Sequence, residues 1–243
     1  MFSRRTVISG TLILPAVLFG VAPPAGADIG ITTQNVRVTL PPAQARHDVR
    51  QAAARGSVLF AQEMGRRGAG RFRPAGWGSA QAAGPFRGNC ATFYNRHVWR
   101  LRSWRAVRLL DENLPAHPPQ GHIWALVTVL TGAETLAGVC VHMPTKRAGD
   151  GVYAPALRRL RALLARLSSR YPRVVVGGDW NRDYSRRPAL AGFRAARPPA
   201  PTHSPGVRID YIYAHRPAHI ARVRVIGRTY SDHNGVRVWV RNR

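Results

Sequence analysis

The stretch VVVGGDWN, from Val174 to Asn181, limits the possible folds more than any other part of the chain. Three consecutive valines are typical of a strand that is buried on both faces. Gly177 and Gly178 follow, and their backbone freedom predicts a sharp turn where the chain leaves the sheet. In an extended segment, Asp179 and Asn181 would point to the same side and could both contact one phosphate group or one water molecule. The alternative is a strand that ends in a simple Asx turn.

The first 27 residues predict an export signal. Arg4 and Arg5 precede a mostly apolar stretch from Gly10 to Ala22, and the sequence PPAGA ends the segment at Ala27. With these flanks the apolar stretch is too short to span a bilayer. The paired arginines resemble a twin-arginine signal, and an ordinary secretory signal is the alternative. We therefore expect a secreted or periplasmic bacterial protein whose mature part is one domain, residues 28–243, without a membrane-spanning segment.

Hydrophobic patterning predicts about ten strands and two clear helices. The stronger helix spans Val152 to Arg170, where leucines recur at spacings of three and four residues. The other is expected from Ala43 to Arg55, between two apolar or β-branched stretches that predict strands. The other predicted strands are Ile31–Leu40, Ser57–Gly65, Asn89–Trp99, Trp104–Leu109, His122–Gly132, Thr135–Pro144, Arg208–Pro217, Ala221–Gly227 and Ser231–Val240. Asn89–Trp99 is expected to pair with Trp104–Leu109, and His122–Gly132 is expected to form a hairpin with Thr135–Pro144. Loops are predicted at 66–88 and 182–207. Two β-sheets covered by helices would accommodate this pattern.

Polar residues gather where the predicted strands end. Each group alone has an ordinary structural explanation, because an acid or a histidine at a strand end usually faces solvent. Together they form an ordered set along the chain: Asn35 and Arg37, Gln62 and Glu63, His142, Asp179 and Asn181, Asp210, and Asp232 with His233. Six such groups in order are far more specific than any one of them.

This ordered set resembles that of the endonuclease/exonuclease/phosphatase superfamily, the deoxyribonuclease-I-like enzymes, over nearly the whole mature chain. The resemblance implies an α/β fold of the α+β type, a four-layer sandwich in which two mainly antiparallel β-sheets face each other and helices flank them. It also implies hydrolysis of phosphodiesters or phosphomonoesters with Mg²⁺, sometimes with Mn²⁺ or Ca²⁺.

The resemblance assigns the metal and phosphate ligands. Glu63 would hold a hard divalent cation through oxygen. Asn35 would position Glu63 and the metal, and Asp232 would be a further carboxylate at the metal or an orienting residue. Arg37 would contact the phosphate of the substrate.

The resemblance also assigns the catalytic roles. Asp179 would orient or deprotonate the attacking water, and Asn181 would hold that water or the phosphate. His233 would contact the scissile phosphate, while Asp210 would fix its ring and favour its protonated form. His142 would be a general acid toward the leaving oxygen.

One departure from the family pattern concerns His142. In the deoxyribonuclease-like branch a glutamate pairs with this second histidine, and the aligned strand here is GNCAT, from Gly88 to Thr92, which contains no acid. The resemblance therefore supports the role of His233 more strongly than that of His142, and it leaves the nuclease subtype open.

The net charge limits the possible binding partners, and the cysteines relate to the cellular compartment. A formal net charge of +26 favours polyanions such as nucleic acid or anionic lipid. Lys146 is the only lysine, so the excess of arginine also has an explanation in genome base composition. Cys90 and Cys140 would form one disulfide in an exported protein or remain two buried free thiols.

Three functions stay open. The first is an exported metal-dependent nuclease that cuts DNA or RNA with little sequence preference and with a steep dependence on salt. The second uses the same centre on a smaller phosphoester, as a phosphatase or phospholipase-type hydrolase of a phospholipid head group, an inositol phosphate or a nucleotide. The third is a non-catalytic module that binds polyanions, which is disfavoured because no acid or histidine of the motifs is missing except the glutamate that would pair with His142. We expect a monomer.

Overall fold

The computed structural model describes residues 28–84, 86–110, 123–227 and 229–241, and the predicted export signal at residues 1–27 lies outside them. The described part contains twelve strands and two α-helices. The helices are α1 (Pro42–Ala53) and α2 (Asp150–Arg170), and neither is long and apolar enough to cross a membrane. The strands are β1 (Ile29–Asn35), β2 (Val58–Gln62), β3 (Trp77–Gln81), β4 (Ala91–Asn95), β5 (Arg100–Arg108), β6 (Trp124–Thr131), β7 (Thr135–His142), β8 (Arg173–Asp179), β9 (Phe193–Ala195), β10 (Asp210–His215), β11 (His219–Ile226) and β12 (Gly235–Arg241).

The strands form two sheets of six. The order is β11-β12-β1-β2-β4-β3 in the first sheet and β5-β6-β7-β8-β10-β9 in the second. Most neighbouring strands are antiparallel, but β1 and β2 are parallel, and so are β7 and β8. A parallel pair needs a crossover connection, and α1 and α2 provide the two crossovers.

Four layers pack in the order α1, first sheet, second sheet, α2. On one side Val49 of α1 packs with Leu59 of the first sheet, and on the other Leu163 of α2 packs with Val176 of the second. Between the sheets lies a third apolar cluster, in which Phe60 is fully buried. The predicted four-layer sandwich of two facing sheets is confirmed.

The two glycines of the VVVGGD stretch serve packing. They lie within β8, which continues to Asp179, so the predicted turn at the glycines was wrong. A Cβ atom on Gly177 would lie 3.0 Å from the ring of Phe60 in the opposite sheet, and one on Gly178 would overlap the carbonyl oxygen of Val141 in β7. Glycine is needed here because neighbouring backbone and a large side chain approach too closely for any other residue.

Four local predictions were also wrong. The first strand ends at Asn35 instead of Leu40, because Arg37 adopts a left-handed backbone with φ of 46°. The predicted pair of strands at 89–109 is divided between the sheets, since β4 pairs with β2 and β3, whereas β5 pairs with β6. The segments predicted as loops at 66–88 and 182–207 contain β3 and β9, short edge strands with weak hydrophobic patterns.

The carboxyl ends of the two parallel pairs meet at one end of the sandwich. Asn35 at the end of β1 is level with Gln62 of β2, and His142 at the end of β7 is level with Asp179 of β8. The antiparallel strand β10 begins opposite Asp179 with Asp210. Side chains from both sheets therefore converge at this end, where ligands commonly bind in α/β folds.

Candidate active site

Asp179 lies at the centre of the converging side chains and is 2% exposed. Its Oδ1 accepts the backbone N–H of Asn181 at 2.8 Å, which forms the Asx turn that was the alternative interpretation of the sequence. Its Oδ2 accepts Nδ2 of Asn35 at 3.1 Å and lies 3.5 Å from Nε2 of His142 and 3.8 Å from Nε2 of His233. One carboxylate thus joins residues from both sheets.

Asn35 links two carboxylates. Its Nδ2 also donates to Oε1 of Glu63 at 2.9 Å, and its Oδ1 accepts the backbone N–H of Arg37 at 2.9 Å. Because a backbone N–H can only donate, the second contact fixes which end of the amide faces the carboxylates. Glu63 is further held by the N–H of Val38, which donates to Oε2 at 2.8 Å. The carboxylates of Glu63 and Asp179 therefore both lie within 3.1 Å of one nitrogen atom.

Asp210 and His233 form a buried pair. Nδ1 of His233 lies 2.8 Å from Oδ2 of Asp210. Burial raises the pKa of Asp210 to about 6, although the positive charge of His233 opposes this. Burial by itself lowers the pKa of His233, but the charge of Asp210 and the hydrogen bond to it raise that pKa to about 9, with a further contribution from the charge of Asp179. At neutral pH His233 is therefore an imidazolium whose Nε2 faces Asp179.

Backbone strain is concentrated at the site. Arg37, Glu63 and Asn181 have φ values of 46°, 60° and 50°, and among the described residues Arg55 is the only other non-glycine residue with positive φ. A left-handed conformation costs a side-chain-bearing residue about 1–2 kcal/mol. At each of the three site residues, a side-chain oxygen of the site accepts the backbone N–H. Strain held in place by its surroundings is typical of functional sites.

A model of the endonuclease/exonuclease/phosphatase family matches residues 32–233, which span the six polar groups from Asn35 to His233. The chain belongs to this family. Its members are phosphoesterases, typically dependent on a divalent metal, and the fold is that of a hydrolase acting on phosphoester bonds. No curated protein sequence matches the chain.

Solved structures of the family share the fold. TDP2 of D. rerio in complex with a single-strand DNA product has a TM-score of 0.68 and 16% identity, covering 88% of this chain and 99% of that one. The endonuclease/exonuclease/phosphatase from Bacteroides vulgatus has a TM-score of 0.68 and 14% identity, with 89% and 99% covered. ANGEL2, a 2',3'-cyclic phosphatase in complex with adenosine-2',3'-vanadate, has a TM-score of 0.68 and 11% identity, with 89% and 96% covered.

The donor atoms fit the divalent metal of the family. Asp179, Asp210 and His233 place ligand atoms within 4.8 Å of one another. The last two residues, however, already bind each other through Nδ1 of His233 and Oδ2 of Asp210. Glu63 and Asp179 offer carboxylate oxygens, which Mg²⁺ prefers, and Asn35 holds both in place. Glu63 and Asp179 could therefore hold a divalent ion between them.

Asn89, in the GNCAT stretch, is a site residue that its sequence pattern did not indicate, because an amide there is not the acid of the family pattern. Its Oδ1 accepts the backbone N–H of Glu63 at 2.9 Å and lies 3.2 Å from Nδ1 of His142. Since the N–H of Glu63 fixes this atom as oxygen, Nδ1 of His142 must donate to it. An amide thus takes the position where the deoxyribonuclease-like branch has a glutamate, and Nε2 of His142 faces Asp179.

Two further residues were missed because they belong to segments without a functional pattern. His203 lies in the Pro-rich segment, and its ring centroid is 4.4 Å from that of His233. Burial and the charge of His233 lower the pKa of His203. Asp48 is fully buried in α1 and accepts the backbone N–H groups of Tyr230 and Ser231, each at 2.9 Å, which anchors the loop before His233.

Asp232 and Arg37 lie at the rim of the site. Their side chains are 39% and 48% exposed, and Oδ2 of Asp232 lies 3.8 Å from a guanidinium nitrogen of Arg37 and 4.0 Å from Nε2 of His203.

Beneath the site, Cys90 and Cys140 are buried free thiols, so of the two alternatives for the cysteines the structure contains the reduced one.

Proposed function

We propose that the protein is an exported, Mg²⁺-dependent nuclease that hydrolyses phosphodiester bonds of DNA or RNA with little sequence preference. The observation that carries this proposal is the arrangement around Asp179. One carboxylate contacts the amide that holds Glu63 and faces Nε2 of both His142 and His233. Acid, base and anion-stabilising groups thus share one pocket, as hydrolysis of a phosphoester requires.

Each residue of the site has a separate role in the proposed hydrolysis. Asp179 orients the attacking water and accepts its proton, and Asn181, whose Nδ2 donates one hydrogen to the carbonyl of Met143 at 2.9 Å, has a second N–H for the phosphate. The imidazolium of His233 donates to a phosphate oxygen and stabilises the charge that develops there. His142 protonates the leaving oxygen. A divalent cation at Glu63 and Asp179 would neutralise phosphate charge and stabilise the leaving group.

Charge supports nucleic acid as the substrate. The chain carries 37 basic and 11 acidic residues, and a surface so positive attracts the backbone of nucleic acids. A neighbour in fold, TDP2, is known in complex with a single-strand DNA product. We expect Arg37 to contact the phosphate of the substrate, because its side chain is about half exposed at the rim of the site.

A second candidate function is hydrolysis of a small phosphoester at the same centre. The structural likeness to ANGEL2, a 2',3'-cyclic phosphatase, supports it. The residues around Asp179 suit either substrate, because they contact the reacting phosphate and not the groups attached to it. Only the turnover of different substrates separates the two.

The test is a plasmid-nicking assay beside a panel of small phosphate esters and phospholipids, each with Mg²⁺ and with EDTA. We expect nicking that EDTA abolishes, and that His233→Ala reduces by more than about a hundredfold, the usual range for a catalytic acid or base. His219→Ala is the matched control, because His219 begins β11 and pairs with Arg241, the last residue of β12, at the end of that strand away from His233. Turnover of small esters alone would support the second candidate instead.

Export is a separate part of the proposal. Cell fractionation should recover the full-length protein outside the cytoplasm without its first 27 residues. Replacing Arg4 and Arg5 with lysine should retain it in the cytoplasm if the signal is of the twin-arginine type, and should leave export intact if the signal is an ordinary secretory one.

A further inference from the structure

A cavity of about 580 Å³ opens beside the reacting centre. Three segments bound it: the connection between β7 and α2, the residues that follow β8, and the residues that precede β10. Asn181 belongs to both the cavity and the site, because its side chain lines the cavity and its backbone N–H bonds to Asp179. Cavities of about 300–1,000 Å³ are the usual size of small-molecule sites in proteins.

Both acids of this cavity already have partners within the protein. Asp150 forms an ion pair with Arg182, whose guanidinium also lies over the ring of Tyr153 at 4.4 Å. The carboxylate of Asp183 accepts hydrogen bonds from the Ser185 hydroxyl and from the backbone N–H groups of Arg208 and Ser185, and these bonds lower its pKa to about 2. Each carboxylate is therefore held by groups of the protein itself.

Two cations of the cavity are not neutralised. Lys146 and Arg186 are exposed, and neither has an ion-pair partner within the described part of the chain. They come from different segments, one after β7 and one after β8, and both line the same space. A cavity with two free cations suits a phosphate group.

The remaining wall is apolar and firmly held. Val207 and Ile209 line it, both half-buried. The backbone of Ile209 is fixed on both sides, since its N–H donates to Thr202 at 3.0 Å and its carbonyl accepts the N–H of Trp180 at 2.8 Å. Apolar walls with a few placed charged groups are typical of sites that bind a sugar or base together with its phosphate.

We propose that this cavity binds the nucleotide next to the scissile phosphate, with Lys146 and Arg186 contacting its phosphate and Val207 and Ile209 contacting its sugar or base. The inference rests on the proposed nuclease function and makes the substrate class specific. A polynucleotide fills the site and the cavity together, whereas an ester with one phosphate reaches only the residues around Asp179. Turnover of polynucleotides should therefore depend on the cavity, and turnover of a minimal diester should not.

The experiment compares a single-stranded oligothymidylate with bis(p-nitrophenyl) phosphate as substrates for Lys146→Ala, Arg186→Ala and the double variant. Each single change should lower kcat/KM on oligothymidylate by about tenfold, because each removes one charge-assisted phosphate contact. Each should also reduce the slope of log(kcat/KM) against log[salt] by about 0.7, the value for one contact to a single strand. On the small diester, kcat/KM should stay unchanged.

Arg166→Ala is the matched control, since it removes an exposed arginine from the last turns of α2, and it should change neither substrate. Equal losses on both substrates, or no loss on either, would overturn the inference. A loss confined to a small bisphosphate, such as an inositol bisphosphate, would also overturn it.

The failure of the proposed function is recognised separately. If the wild-type protein hydrolyses neither substrate, the fluorescence anisotropy of a labelled oligothymidylate in EDTA still measures how tightly the nucleic acid binds. Weaker binding by the Lys146 and Arg186 variants, with Arg166→Ala unchanged, would then support the nucleotide site without catalysis. Equal binding by all variants would overturn it.

Discussion

Asp210→Asn tests the claim that a buried carboxylate keeps His233 protonated. The change keeps the size of the side chain and an acceptor oxygen but removes the charge. With Asp210 in place the pKa of His233 is about 9, against an ordinary value of 6.5. Without that charge, burial should bring the pKa back toward 6.5, opposed only by the smaller contributions of Asp179 and Asp232. The protonated fraction of His233 at pH 7 then falls from about 99% toward about a quarter.

Activity should follow this loss. We expect kcat/KM at pH 7 to fall by more than about tenfold, because the variant loses both the imidazolium and the partner that orients its ring. The deficit should shrink as the pH is lowered toward 5.5, where the imidazole of the variant regains its proton. In the wild type, protonation of Asp210, whose pKa is about 6, works in the opposite direction over the same range.

The same change has a thermodynamic consequence. The pKa of His233 in the folded protein lies above its unfolded value, so the stability it contributes is fully present below pH 6.5 and is lost as the pH rises through 9. A rise from 6.5 to about 9 corresponds to about 3 kcal/mol of unfolding free energy. The raised pKa of Asp210 acts in the same direction, but between pH 3.8 and about 6.

Urea unfolding and an NMR titration of the histidines provide the measurement. Between pH 6.5 and 9.5 the wild type should lose about 3 kcal/mol of stability, and Asp210→Asn should lose almost none of it. Asp28→Asn is the control, because Asp28 pairs with Arg241 at the surface and at the other end of the sheet. A His233 in Asp210→Asn that still titrates near pH 9, or a stability difference that is flat with pH, would refute the reasoning.

Three further predictions concern the residues around the pair. Glu63→Gln should weaken Mg²⁺ binding, measured by calorimetry, and lower activity by more than about a hundredfold, while the circular dichroism spectrum stays unchanged. A normal Mg²⁺ affinity in this variant would contradict a metal site at Glu63. Asn89→Ala should lower kcat by about tenfold, because His142 loses the oxygen that accepts its Nδ1–H. Asn89→Asp keeps an acceptor oxygen and should retain a larger part of kcat. Equal losses of kcat in the two variants would contradict a positioning role for Asn89. Asp48→Ala should lower unfolding free energy in urea by about 2–4 kcal/mol, since two backbone N–H groups lose a buried acceptor, and Asp48→Asn should lose less.

Local patterns predicted the elements that carry the site. The valine run before Asp179 and the leucine spacing in α2 report burial directly, so both elements appear where the sequence indicated. Glu63 just after β2, His142 at the end of β7 and His233 before β12 were found for the same reason, since a polar residue at the end of an apolar run is visible in sequence.

Other features depend on residues that are distant in sequence. The glycines of β8 suggested a turn, and only the position of Phe60 in the opposite sheet shows that they allow close packing. Asn89 has no local pattern at all, because its importance comes from accepting the N–H of Glu63 and the Nδ1–H of His142 at once. The edge strand β3 was missed, since its sequence WGSAQ is rich in small and polar residues and lacks a strong hydrophobic pattern.

The sequence by itself determined which side chains are available: carboxylates and two histidines near the ends of strands, and a large positive charge on the chain as a whole. The tertiary structure decided which of them act as pairs. Burial of Asp210 against His233 sets their protonation, and one amide from β1 sets the spacing of Glu63 and Asp179. Distances across two sheets depend on packing between residues more than a hundred positions apart, and no local pattern encodes them.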